Sequence, residues 1–256
     1  MRVFAFAAVL CMVFAGRLSA GVPAVTTDQM REVDRIMVEE LGISLVQMME
    51  NAGRSLAVVA RDMLGGTVRG RRVLVLAGRG NNGGGGLAAA RRLAVWGAQV
   101  SVVLSDAPER FAGVPQQQLR ALQAMGVPVQ ASPVAKLPEA DLILDALLGY
   151  GLDGPPRGEY ATLIRQANAS CVRILANDTP SGLDTTTGRP LEPAIRATVT
   201  LTLALPKTGL LQPGAARWVG ELMVADISVP PSVYRRVGVD PGELFAHGDI
   251  ERIEQR

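Results

Sequence analysis

The side chains that could do chemistry lie in short polar segments, each of which directly follows an apolar run. The first segment holds six glycines among residues 78–86, together with Asn81 and Asn82. Glycines let a ligand approach the backbone closely, and free amides at the start of a helix attract phosphate. The asparagines add uncharged donors and acceptors. This segment predicts a phosphate-binding loop, for which a merely flexible turn is the alternative.

The spacing of these glycines does not match the dinucleotide-binding fingerprint of dehydrogenases. That fingerprint is completed by an acidic residue at the end of the following strand. Here the apolar run 100–104 leads to Asp106 only after a polar turn. A hydride-transferring dehydrogenase is therefore the weaker hypothesis for this loop.

Two carboxylates stand at the ends of apolar runs, where a parallel sheet would bring them to one edge. Asp145 precedes a second glycine-rich segment, which favours a site role over a helix cap. Asp178 lies in a turn that Pro180 and Gly182 make sharp, so Asp178 and Ser181 should be close together. Asp178 is predicted to orient ribose hydroxyls or to act as a general acid or base, and an Asx-turn is the alternative.

Lys207 follows a further apolar run and is predicted either to contact phosphate or substrate or to be a solvated surface charge. The chain has one histidine, His247, and two cysteines, Cys11 and Cys171. These residues are too few for a four-ligand zinc site, and His247 lies in the C-terminal tail. Zinc enzymes and Ser-His-Asp hydrolases are therefore disfavoured.

Alternating strands and helices must position these segments. Buried strands are predicted from apolar runs at 73–76, 100–104, 142–144, 172–175, 199–203 and 222–224. Helices are predicted from capping residues and helical apolar spacing at 26–42, 44–65, 87–96, 115–125 and 160–167. The alternation predicts a Rossmann-like α/β fold, a three-layer αβα sandwich with a mostly parallel sheet. Ligands of such a sheet bind beyond the carboxyl ends of its strands.

The composition is that of an ordinary globular protein of one large domain. The chain has 256 residues, of which 48% are hydrophobic and 20% charged. Its formal net charge is only +2, and aromatic residues make up 4%. A nucleic-acid partner is therefore not expected, because neither a basic surface nor a base-stacking surface is indicated.

Residues 1–22 are set apart from the predicted domain, which covers 23–256. They contain a short basic start, an apolar run and small residues near Ala20, as a secretory signal does. The run is too short to predict a transmembrane helix, and no stable membrane association is expected. Residues 1–20 predict an exported protein if they are a true signal peptide. The protein is predicted to be cytoplasmic if this segment is a misannotated start.

From about Thr26 to Pro230 the chain resembles the YjeF N-terminal-domain family, the NAD(P)HX epimerases. The resemblance rests on several motifs in the family's order: MENAG at 49–53, GNNGG at 80–84, Asp145 with its glycine loop, DTPSGLD at 178–184, PKTGL at 206–210 and residues 220–230. An ordered set of motifs is far more specific than any one of them.

This resemblance implies an isomerase, an NAD(P)H-hydrate epimerase that interconverts the R and S epimers of NADHX and NADPHX for nucleotide repair. It implies a homodimer and a potassium ion held by Asn82, Asp145 and Ser181, with Asp178 as the acid or base. Oxygen ligands of these types suit a hard cation. The substrate contacts that it implies are Asn81, Asn82, Gly83, Gly84, Gly85, Gly149, Tyr150, Gly151, Leu152, Asp153, Gly154, Pro155 and Asp178.

Two residues of the site depart from the family pattern. Gly85 replaces the aspartate of the family's GNNGGDG loop, and Tyr150 stands where a small threonine is usual. The loss of a carboxylate leaves a non-catalytic nucleotide-binding or scaffold domain of the same fold as the alternative function. On this pattern, Gly85→Asp is predicted to raise activity or affinity.

Overall fold

The computed structural model describes residues 22–254 of the chain. Its described part is built on one sheet of eight strands: β1 (Arg72–Ala77), β2 (Gln99–Leu104), β3 (Val129–Ala131), β4 (Leu142–Ala146), β5 (Ile174–Asn177), β6 (Val199–Leu203), β7 (Glu221–Ala225) and β8 (Ile250–Ile253). The strand order is β3-β2-β1-β4-β5-β6-β7-β8, and all neighbours are parallel except β7 and β8. The predicted α/β fold with a mostly parallel sheet is confirmed.

Helices cover both faces of this sheet. They are α1 (Thr27–Arg35), α2 (Leu45–Met63), α3 (Asn81–Val95), α4 (Gly113–Ala124), α5 (Gly158–Ala169), α6 (Ala216–Val219) and α7 (Pro231–Arg236). Thr26 and Ser44 form capping boxes at the starts of α1 and α2, because each hydroxyl accepts from the backbone three residues on. A π-helical turn, Ile36–Glu40, continues α1 towards Gly42. The predicted starts of both helices are confirmed.

The hydrophobic core lies on both faces of the central strands. One apolar cluster packs α2, α3 and α4 against one face of the sheet. A second cluster places α5 on the other face. A third joins α1 to the end of the sheet that carries β7 and β8. The central strands therefore read as continuous apolar runs, as strands covered on both faces must.

The glycine-rich segment differs from its prediction. It is not a loop before a helix that starts at residue 87, because α3 already begins at Asn81 and contains four of the glycines. Close packing explains them. A Cβ on Gly83 would lie 1.8 Å from the carbonyl oxygen of Gly78, and one on Gly86 would lie 2.3 Å from the Cβ of Ala146. Low helix propensity misleads here, since tertiary contact demands the small residues.

Two short strands were not predicted. β3 has three residues and lies at one edge, and β8 joins the opposite edge antiparallel to β7. Neither carries the apolar run that marks a central strand. The leader predicted at 1–22 lies outside the described residues, apart from its last residue. Within residues 22–254, no helix combines the length and apolarity that crossing a bilayer requires.

Candidate functional site

A cavity of about 500 Å³ opens over the carboxyl ends of β1, β4, β5 and β6. The strand order reverses between β1 and β4, which is the point where open α/β sheets bind ligands. The segments that follow these four strands reach it, and α1 and α2 close the other side with Met30, Asp34 and Met48 among others. The topology therefore brings the predicted polar segments to one rim.

The start of α3 faces this cavity with free backbone amides. Gly80 is the N-cap and makes no side-chain cap hydrogen bond, and Gly80, Asn81 and Asn82 line the cavity. The first N–H groups of a helix have no partner within it, and the helix dipole is positive there. The turn is therefore suited to hold phosphate oxygens.

Asp178 and Lys207 form a buried ion pair at the cavity. The ammonium of Lys207 contacts Oδ1 of Asp178 and also donates to the Leu203 carbonyl at 3.0 Å. Lys207 is 1% exposed and Asp178 is 4% exposed. Asp178 has a φ of +67°, a left-handed conformation that a non-glycine residue adopts only where its surroundings impose it. Of the two alternatives predicted for Lys207, the solvated surface charge is wrong, because its position after β6 buries it.

Asp145 and Ser181 lie together, as the ion ligands that the family resemblance implied would have to. Oδ1 of Asp145 accepts from the Ser181 hydroxyl at 2.6 Å, and Oδ2 accepts from the Ser181 amide at 2.8 Å. Burial raises the pKa of Asp145 to about 6, although these hydrogen bonds act to lower it. Within residues 22–254, no basic side chain forms an ion pair with this carboxylate. It is therefore a buried acidic group whose charge nothing described compensates.

Asn82 makes its hydrogen bonds to another residue, Asn177. Nδ2 of Asn177 donates to Oδ1 of Asn82 at 2.9 Å and to its backbone oxygen at 3.1 Å. In the described part of the chain no hydrogen bond joins Asn82 to Asp145 or Ser181. A Cβ on Gly149 would lie 3.3 Å from both the Asn82 Cβ and Oδ2 of Asp178, so these three positions converge.

Tyr150 closes the cavity towards α1. Its hydroxyl donates to Oδ2 of Asp34 at 2.5 Å, and its ring centroid lies 5.5 Å from the Lys207 ammonium. Its amide donates to Asp178 at 3.2 Å. Burial raises the pKa of Asp34, against the hydrogen bond from Tyr150 that lowers it. Burial likewise raises the pKa of Tyr150, and the Asp34 charge adds to this rise.

Sequence reasoning missed Asn177 and Asp34. Both had a weak signal: Asn177 is a polar residue at the end of an apolar strand, and Asp34 is an acidic residue directly beside the buried Val33 of α1. Their partners are distant along the chain, so the sequence could not name them.

The predicted substrate-contacting residues fall into two groups. Those that line the cavity are Asn81, Asn82, Gly85, Gly149, Tyr150, Gly151, Leu152, Asp153 and Asp178. Those outside its lining are Gly83, Gly84, Gly154 and Pro155. A Cβ on Gly83 would point at the backbone of Gly78, and one on Gly84 would point at the side chain of Met49. Their roles and those of Gly154 and Pro155 stay predictions.

Comparison with known proteins agrees with this architecture. The model of the family YjeF-related protein N-terminus matches residues 45–209. An NAD(P)H-hydrate epimerase of Dehalogenimonas lykanthroporepellens is 47% identical over 216 residues, which cover 84% of this chain and 86% of that protein. One of Rhodopirellula baltica is 37% identical, covering 85% and 89%. The crystal structure of yeast ynu0 superposes with a TM-score of 0.76 at 25% identity, covering 90% of this chain and 99% of that one.

Proposed function

Since the chain belongs to the family of YjeF-related protein N-termini, we propose that it is an NAD(P)H-hydrate epimerase. It would interconvert the R and S epimers of NADHX and NADPHX. One observation carries the proposal beyond family membership: the buried Asp178–Lys207 pair borders the same cavity as the free amides of α3. A dinucleotide needs both features, one for its phosphates and one for the reacting ring.

The reaction requires a proton to move at the hydroxyl oxygen of the hydrated ring. The epimeric carbon bears this hydroxyl and the ring nitrogen, so a bond to one of them must break and form again on the other face. If the C–O bond breaks, the hydroxyl takes up a proton and leaves as water. Water then adds from the opposite face and gives the proton back. If the ring C–N bond breaks, the hydroxyl gives its proton to a base and becomes an aldehyde oxygen, while the freed ring nitrogen keeps the electron pair and takes up a proton. The aldehyde rotates, the nitrogen attacks its other face and loses that proton, and the oxygen takes its own proton back. Either route needs one positioned acid or base.

Asp178 is the residue that we assign to this proton. The Lys207 ammonium compensates the charge of its carboxylate where burial would otherwise disfavour it. Its other oxygen, Oδ2, lies close to Gly149 and accepts only a long hydrogen bond from the Tyr150 amide, at 3.2 Å. That oxygen is therefore the one available to the hydroxyl of the substrate.

The remaining predicted contacts belong to binding. We assign the phosphates to the first turn of α3, where Gly80, Asn81 and Asn82 line the cavity at the helix start. The segment 149–155 would cover the nicotinamide end. Tyr150, in place of a threonine, forms the wall between Asp178 and α1.

Asp145, Ser181 and Asn82 fit a potassium ion, because the buried carboxylate of Asp145 has no basic partner among the described residues. The Ser181 hydroxyl lies within hydrogen-bond distance of both this buried carboxylate and the Leu148 carbonyl. Asn82 has a carbonyl oxygen with a second lone pair beside its bond from Asn177. Asp145, Ser181 and Asn82 would hold the ion, and hard oxygen ligands suit it. The ion would supply a positive charge beside the buried Asp145 carboxylate.

The test is turnover on a mixture of NADPHX epimers, followed by NMR or by an S-specific dehydratase that consumes one epimer. The protein should restore the epimer equilibrium faster than buffer or heat-denatured protein does. Turnover no faster than the spontaneous rate would exclude the epimerase. Gly85 favours a non-catalytic nucleotide-binding domain as second candidate, and that domain would bind NADP⁺ in calorimetry without accelerating the reaction.

Two further properties are proposed from the family resemblance. We propose a homodimer, which light scattering on the purified protein would test. The compartment follows from the mature N-terminus, and mass spectrometry of the protein from its own cells would show whether residues 1–20 are removed.

A further inference from the structure

Position 85 and Asn177 face each other beside the first turns of α3. A Cβ built on Gly85 would lie 3.0 Å from Nδ2 of Asn177 and 4.0 Å from the Cβ of Ala52. A carbon so close to an amide nitrogen forces one of the two to move, because protein interiors are close-packed. Asn177 thus fills the space into which a side chain at position 85 would extend. The gain predicted from Gly85→Asp is not expected while Asn177 is present.

The amide nitrogen of Asn177 is not free to move aside. It donates to both oxygens of Asn82, at 2.9 Å and 3.1 Å. These hydrogen bonds tie the end of β5 to the first turn of α3. Asp178 follows Asn177 directly after β5, so the side chain of Asn177 connects the first turn of α3 to the strand end that carries the ion pair.

Two polar atoms at this link lack a partner among the described residues. They are Oδ1 of Asn177 and Nδ2 of Asn82. Both residues line the cavity, and Asn177 is 0% exposed. The backbone oxygen of Asn82 can only accept a hydrogen bond, so the side chain of Asn177 must turn its Nδ2 towards it. The same Nδ2 then requires the oxygen, and not the nitrogen, of the Asn82 side chain. An unpaired buried donor and acceptor are disfavoured in a folded protein unless water or a ligand pairs with them, and at the wall of a cavity both can reach a ligand.

We propose that Asn177 is a ligand-positioning residue, an inference that rests on the function proposed above. It takes over, from the neighbouring strand, the polar role that the family pattern gives to an aspartate at position 85. Its Nδ2 fixes the turn that receives the phosphates. Its Oδ1 and the Nδ2 of Asn82 are the acceptor and donor that a bound nucleotide satisfies.

A double-mutant cycle on NADP⁺ binding tests this proposal by calorimetry. Asn177→Ala should weaken binding about tenfold, as the loss of a buried amide that positions a ligand does. Gly85→Asp alone should weaken it at least as much, because the carboxylate meets Asn177. The double variant should bind more tightly than Gly85→Asp alone, since the space is then free. Such coupling between neighbours is what a cycle isolates.

Thermal unfolding of each variant separates positioning from loss of fold. Asn177→Asp keeps the shape of the side chain but removes the donor, so it should weaken binding without leaving a cavity. Ser105→Ala is the matched control, because it removes a buried, unpartnered hydroxyl outside the cavity lining and should leave affinity unchanged. In turnover, Asn177→Ala should raise KM more than it lowers kcat.

Wild-type affinity in Asn177→Ala, or strictly additive effects in the cycle, would overturn the role of Asn177. A wild-type protein that does not bind NADP⁺ would overturn it too. If the cycle shows coupling but no variant or wild type accelerates epimerisation, only the catalytic proposal fails. If the wild type turns over and the cycle is additive, only the Asn177 proposal fails.

Discussion

At the scale of single residues, burial decides how the charged groups of the site are stabilised. Lys207 and Asp178 are both almost fully buried and pair with each other. Asp145 is buried without a basic partner among the described residues. Removing one member of such a pair leaves the other charged and desolvated, which costs more than the pair itself contributes.

Asp178→Asn should lower kcat for epimerisation by about 10²–10⁴-fold, because an amide cannot exchange the proton. It also leaves Lys207 without a counter-charge, so the free energy of unfolding should fall by roughly 3 kcal/mol. Turnover is measured well below the melting temperature of the variant. The control is the double variant with Lys207→Gln, which should regain stability but not activity. Near wild-type turnover in Asp178→Asn would remove Asp178 from the mechanism.

Potassium should raise the melting temperature relative to an equal concentration of choline. The ion would compensate the Asp145 carboxylate, and a gain of about 1 kcal/mol shifts the melting temperature by about 3 °C in a chain of this size. Asp145→Asn should abolish the difference between the two cations. An undiminished potassium effect in that variant would place the ion elsewhere.

At the scale of elements, α1 and the loop after β4 are joined across the mouth of the cavity. The Tyr150–Asp34 hydrogen bond is half-buried, whereas the second link, from Arg31 to Asp153 at 3.7 Å, is between exposed side chains. Exposed pairs contribute little, so Tyr150 carries the connection. The sequence predicted both elements, but nothing local to either one predicted that they meet.

Tyr150→Phe should loosen this loop and lower the free energy of unfolding by about 1–3 kcal/mol, because Asp34 loses its buried donor. The hydrogen bond stabilises the ionised carboxylate. Its contribution is therefore present at neutral pH and lost as pH falls through the Asp34 pKa, which burial raises. The difference between wild type and variant should thus be larger near pH 7 than near pH 4 (about the ordinary carboxyl range).

Hydrogen exchange in the segment 148–153 measures the loosening, and Arg31→Ala is the matched control. That variant removes the exposed pair with Asp153 and an exposed pair with Asp28 inside α1, and it should leave exchange unchanged. Equal effects of the two variants would contradict the assignment of the connection to Tyr150.

At the scale of the whole molecule, the site depends on how closely α2 and α3 pack onto the sheet. A Cβ on Gly53 would lie 2.6 Å from the Cβ of Ala88 and 2.9 Å from the Ala89 nitrogen. This contact sets the position of α3, and with it the turn that receives phosphate. The MENAG motif thus has a packing role, because its glycine allows the approach.

Gly53→Ala should lower the free energy of unfolding by about 1–3 kcal/mol, as overpacking does. Denaturant unfolding measures it. Arg54→Ala, on the exposed side of the same helix, should change stability by no more than about 0.5 kcal/mol. A Gly53→Ala variant as stable as wild type would mean that the helices can separate without cost.

The sequence by itself determined the elements, the parallel α/β fold and the family, because capping residues and apolar runs act over a few neighbouring residues. It also determined that Asp178 and Ser181 share a turn. Only the tertiary structure decided that Asn177 holds Asn82, 95 residues away, and that Tyr150 holds Asp34, 116 residues away. Such contacts depend on strand order and helix packing. The same packing made a glycine-rich segment helical and buried Lys207, against the local preference of both.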